Sequence, residues 1–140
     1  CHRNIFGATI FSAFGFFWSA VGMSWMIKAG AFGPGLAAGV DTKAIGFAFL
    51  AYFIFACIGT IAASSASLFL FVDMVFIDIL LLGLALDGLG IGGHFPHTMA
   101  AYAEMAVALI SLYGAGAGFL NNFYGRQFWP VGAPLGIWKK

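Results

Sequence analysis

Uncharged apolar runs of membrane length alternate along this chain with short polar or glycine-rich breaks. Residues 5–27 carry no charged side chain before Lys28, and about 20 apolar residues suffice to cross the hydrocarbon core of a bilayer. The segment from Gly30 to Gly39, with Pro34, reads as a loop, and Asp41 and Lys43 mark re-entry. From Ala44 to Val72 charge is again absent, a run too long for one span at a rise of about 1.5 Å per residue. Ser64, Ser65 and Ser67 divide it, because serine favours helix caps and turns. The pattern therefore predicts spans over residues 5–27, 44–63, 67–89 and 98–120, with a glycine turn from Gly88 to Pro96 and a tail over 121–140. The expected fold is all-α: a polytopic transmembrane helical bundle of four spanning helices in a single domain, 1–140.

Composition agrees with that pattern. The chain is 62% hydrophobic and 8% charged, against about 25% charged residues in soluble domains. No basic stripe points to nucleic acid, and Cys1 and Cys57 form no disulfide framework. No signal-peptide pattern stands at the N-terminus. The start at Cys1, a few residues before an apolar run, reads as a fragment. Arg3, Arg126, Lys139 and Lys140 outweigh Lys28 and Lys43, which predicts cytoplasmic termini in a plasma (inner) membrane. Trp129 and Trp138 suit an interfacial belt on that side, and Trp25 on the other.

Polar residues inside the spans carry the candidate chemistry. The third span holds Asp73, Asp78 and Asp87 without a basic residue. An aspartate at a helix centre costs about 2.5–3.5 kcal/mol, while each Leu, Ile or Phe returns only about 0.3–0.6. These acids must meet protein or water, or be protonated. At about 100° per residue, Asp73 and Asp87 share a face and Asp78 stands away from both. Two readings stay open for Asp73 and Asp78: a proton-binding site in a polar lumen, or hydrogen bonds to Ser, Thr or Tyr on neighbouring helices. Asp87 is expected at the interface.

The fourth span carries Glu104 near its start and small residues later. Ala106, Ile110, Gly114 and Gly118 recur at four-residue steps, and Gly114 and Gly118 make the Gly-x-x-x-Gly pair that lets helices approach closely in lipid. Asn121, Asn122, Gly125, Arg126 and Pro130 to Gly132 form a polar, kinked exit. On the first span Phe11, Phe14 and Trp18, with Phe17 alongside, form a stripe that either packs or narrows a pore. Ser12 and Thr60 either meet a carboxylate or bond their own backbone, and the Tyr113 hydroxyl needs a partner if buried. His94-Phe95-Pro96-His97 does not read as a metal or haem site. Its proline opposes a regular helix through both imidazoles, and no Cys or carboxylate stands at ligand spacing. No nucleophile–base–acid set is present, so neither an enzyme nor a cofactor is expected.

These residues resemble the acetate and succinate permease family, the six-span acetate uptake transporters. Phe11-Ser12-Ala13-Phe14-Gly15-Phe16-Phe17-Trp18 is similar to that family's Phe-Ser/Thr-x-Tyr-Gly-x-Phe-Trp segment. Gly59-Thr60 closes the second span as the family's aromatic run closes, and Asn121, Tyr124-Gly125-Arg126 and Pro130-Val131-Gly132 are similar to its ending. Tyr113 falls where the family's last span has a tyrosine. The similarity covers the family's last four spans; its Asn-Pro-Ala-Pro-Leu-Gly signature is absent.

The resemblance implies a homo-hexameric ring in membrane lipid, with a path for short carboxylates through each protomer. It places Phe14, where the family has tyrosine, and Met74 at an aromatic–aliphatic constriction, with Ser12, Thr60, Tyr113 and Asn121 along the path. The expected function is passive or proton-linked movement of acetate-like monocarboxylates, or of succinate. The alternative is a non-transporting membrane subunit or sensor; a redox anchor using His94 and His97 is a third.

Overall fold

The computed structural model describes residues 5–137, apart from the side chain of Phe6. Cys1, Arg3, Trp138, Lys139 and Lys140, on which parts of the fragment, orientation and aromatic-belt expectations rest, lie outside the described residues. The described chain is all-α, without strands: α1 (Ile5–Lys28), α2 (Pro34–Ala38), α3 (Thr42–Ala63), α4 (Leu68–Leu89) and α5 (Phe95–Tyr124). Every one of these except α2 is long and apolar enough to cross a membrane.

Local chemistry sets the ends of these helices. Asp41 caps α3 by accepting a hydrogen bond from the Lys43 amide at 2.9 Å. The serine cluster does break the long apolar run: Ser67 caps α4, its hydroxyl accepting from the Leu70 amide at 3.2 Å. Two boundaries differ from the sequence pattern. The loop expected between Gly30 and Gly39 contains the one-turn α2, which begins at Pro34, where a ring-fixed φ suits a first helical residue. The fourth spanning helix is longer than 98–120. Pro96 sits in its first turn, where a missing amide hydrogen has no helical acceptor to lose, so the proline opens α5 instead of excluding it. At the other end, α5 takes in Asn121 and Asn122 and stops at Gly125, which has a left-handed φ of 62°.

Packing is uneven around α4. On one side α3 and α4 touch through backbone: a Cβ on Gly88 would come within 2.8 Å of the Gly46 Cα, and one on Gly46 within 2.9 Å of the Gly88 carbonyl carbon. On the other side Gly83 of α4 receives the Pro96 carbonyl and Ala100 of α5. The expected Gly114–Gly118 face is not such a contact in this chain. Gly114 is filled by the Phe69 ring, and a Cβ on Gly118 would meet nothing within 4 Å. Small residues permit close approach, but a backbone must be there to use it.

The first spanning helix leans on α3 through rings. Phe17 stacks on Tyr52 at 3.7 Å between centroids and meets Phe49 edge-on at 5.5 Å. Among the described residues, no α1 Cα comes within 8 Å of one in α5, and the space between them is a cavity.

Beyond Gly125 the chain folds back along the start of α4. Leu68 and Phe69 donate their amides to the carbonyls of Ala133 and Val131 at 3.0 and 3.1 Å. Leu135 donates to Ser64 O at 3.0 Å. The first amides of a helix have no acceptor within it, and the tail supplies two of those missing here.

Candidate functional site

The three acids of α4 go to two different sides, as their angular spacing predicts. Asp73 and Asp87 reach α5, and Asp78 reaches α3. Asp87 lies 3.3 Å from His97 Nδ1 at the end of the bundle, where both side chains are exposed.

Asp78 sits in the tight seam with α3. Thr60 Oγ1 is 2.7 Å from Asp78 Oδ2 and 3.0 Å from the carbonyl of Ala56. Thr60 is the donor in both contacts, its one hydrogen shared between the Asp78 carboxyl and its own helix backbone. The other oxygen, Oδ1, is buried without a hydrogen-bond partner. An unpaired carbonyl-type oxygen costs far less there than an unpaired charge.

Asp73 is held differently. It is 9% exposed, and the Ser111 hydroxyl of α5 lies 3.2 Å from each of its oxygens. Ser111 shares its one hydrogen between the two oxygens. Both distances are long for an O–H···O contact, whose usual length is about 2.7–2.8 Å.

Two cavities meet at this pair. The first, of about 290 Å³, lies between α1, α4 and α5 and is lined by Phe14, Trp18, Met74 and Glu104 among others. The second, of about 310 Å³, runs toward the tail past Phe69, Gly114, Gly118 and Val131. Phe11, Leu70, Asp73 and Ser111 line both. Among the described residues, no Lys, Arg or His lines either one.

The structure brings some of the sequence-derived candidates together and separates others. Phe14 and Met74 line the first cavity with Asp73, and Phe14 is 8% exposed, its ring against Tyr52 and Phe55. Thr60 serves Asp78 in the seam. Ser12 is exposed on α1 and lines neither cavity. Tyr113 and Asn121 are engaged by the returning tail. The Tyr113 hydroxyl donates to Pro130 O at 2.8 Å while its ring stacks on Trp129. Asn121 accepts from the Phe128 and Trp129 amides and donates to Trp129 O. The aromatic stripe of α1 is divided: Phe14 and Phe17 are buried, Phe11 is 68% exposed and Trp18 lies between.

Two participants, Tyr52 and Ser111, escaped the sequence reading, and a third, Glu104, reads there only as an acid near the start of the fourth span. Tyr52 completes the ring cluster, and its three-residue spacing from both Phe49 and Phe55 was the available signal. Ser111 was one hydroxyl among several. Glu104 stands two helical turns before Ser111 on the same face of α5. It neighbours Ala103, whose contact with Leu80 puts it level with the middle of α4.

A sequence model of the GPR1/FUN34/yaaH family matches residues 1–129 of the chain. No curated protein and no solved structure matches it.

Proposed function

The chain belongs to the GPR1/FUN34/yaaH family, a family of acetate and other monocarboxylate transporters, and on that premise we propose that it moves acetate-like monocarboxylic acids, or succinate, across the membrane as a channel or permease. The observation that carries this reading is the first cavity, about 290 Å³ between helices long and apolar enough to cross a membrane, with Phe14 and Met74 in its wall. Its volume is at the low end of ligand sites, which suits a small acid. No fixed cation lines it, so a carboxylate would not be trapped on its way.

In this reading Phe14 and Met74 narrow the path, and Tyr113 and Asn121 act by holding the tail at its mouth. The protein sits in the plasma (inner) membrane with cytoplasmic termini and assembles as a homo-hexamer. The outward residues Tyr102, Met105, Leu109 and Leu112 of α5 recur at helical spacing and supply an apolar face for lipid or a neighbouring copy.

Labelled acetate should enter vesicles containing the full-length protein several-fold faster than empty vesicles. Equal rates would sink transport and leave the non-transporting subunit or sensor. Phe14→Ala should widen the neck and admit acids longer than acetate. Unchanged size selectivity would remove Phe14 from the neck.

A further inference from the structure

Both cavities share one polar feature, the Asp73–Ser111 pair. The carboxylate is nine-tenths buried, yet its two oxygens divide a single hydroxyl hydrogen at 3.2 Å each. A carboxylate has about four lone-pair sites, so most of its accepting capacity is unused, and it borders space on both sides. A buried acceptor in that condition gains from a stronger donor.

The surroundings determine which donor fits. From α1 the pair faces Phe11 and its neighbours Ile10, Phe14 and Trp18, none of which titrates. From α5 the first cavity receives Glu104, and from the tail the second receives Val131. Asp78 of α4 is turned to Thr60 and Cys57 of α3. An organic anion entering here would meet Asp73 and Glu104 and no compensating cation. Two carboxylates at hydrogen-bond distance do not both ionise; the pair retains one proton. A neutral carboxylic acid meets no such penalty, and its O–H is a better donor to a carboxylate than a serine hydroxyl.

We propose that Asp73 is the recognition point between the two cavities, where the O–H of a short, neutral carboxylic acid displaces the Ser111 hydroxyl. This rests on the transport reading above and deepens it. Each acid that passes brings its own proton, the pair Asp73–acid holds that one proton while they are joined, and no net charge crosses. Ser111 closes the junction when no acid is present. Selection falls on the neutral form of the substrate, and Glu104 strengthens it by adding like charge to the same wall.

The test uses the full-length protein in two preparations. In vesicles, labelled acetate uptake should be indifferent to a membrane potential imposed with potassium and valinomycin. At fixed total acetate, above the acid's own pKa, uptake should fall about tenfold per pH unit, as linkage to one proton requires. Asp73→Asn should make uptake respond to the potential and flatten its pH profile, while Ser111→Ala should keep both wild-type features. In detergent, added acetate should change the fluorescence of Trp18, which lines the first cavity, and the change should vanish in Trp18→Phe. Its half-saturating total acetate should rise about tenfold per pH unit in the wild type, a reading that needs no substitution at Asp73.

Uptake driven by the potential in the wild type would overturn the recognition point and leave transport standing. So would a half-saturation independent of pH, or an Asp73→Asn protein with the wild-type profile. A pH-linked fluorescence change without uptake would do the reverse. Neither uptake nor a fluorescence change would overturn both.

Discussion

Asp78 and Asp73 lie five residues apart on α4, one turned toward α3 and the other toward α5, and their surroundings differ in packing before they differ in chemistry. The α3 side is closed by backbone contact at Gly46 and Gly88 and leaves Asp78 in a seam with Thr60. The α5 side is close at Gly83 but held apart at the level of Asp73, with Phe69 set between helices at Gly114 and cavities on either side of the acid. A carboxyl in a dry seam is tolerated when neutral and serves as a fixed hydrogen bond. A carboxylate beside open space keeps the capacity to exchange its partner. The same residue type on one helix is thus structural on one side and available on the other, and helix spacing decides which.

Substitution of the glycines tests that contrast most severely. Gly88→Ala places a methyl group against the Gly46 backbone, which cannot move aside as a flexible side chain can. Overpacking of that kind costs about 1–3 kcal/mol, and thermal unfolding in detergent should show a clear loss of stability. Gly118→Ala enters open space and should stay within about 0.5 kcal/mol of the parent. The opposite result would return the packing role to the Gly-x-x-x-Gly pair and close the α5 side.

That reversal shows how far the sequence could be read. The four spans, the break at Ser64 to Ser67 and the separation of Asp78 from Asp73 and Asp87 all follow from local rules: the apolar length that crosses lipid, the capping of amides by hydroxyls, and 100° per residue. Each depends on one helix alone. The close-approach site did not follow, because Gly114–Gly118 and Gly46 with Gly88 look alike until a second helix chooses between them. Tyr113 and Asn121 were legible as polar groups needing partners. Their partners, Pro130 O and the backbone of Phe128 and Trp129, come from a tail whose return path no periodicity encodes. Ser111 was silent for the same reason: its role exists only across from Asp73.

The finest distinction between the two sides lies in the protons. In the seam, one hydrogen on Thr60 faces both Ala56 O and Asp78 Oδ2, and a neutral Asp78 would leave that hydrogen to Ala56 O. The infrared spectrum of the full-length protein should contain the carbonyl stretch of a neutral carboxyl group that disappears in Asp78→Asn and persists in Asp73→Asn. Thr60→Val removes the hydroxyl that meets the Asp78 carboxyl, leaving only the Cys57 thiol beside it. Stability should fall by about 1–3 kcal/mol, and the stretch should move to higher frequency as the hydrogen bond is lost. Thr60→Ser keeps the hydroxyl and should leave the band in place. A band that follows Asp73 and ignores Asp78 would exchange the two assignments, making the seam carboxyl the charged one and removing the ground on which the cavity carboxylate was set apart.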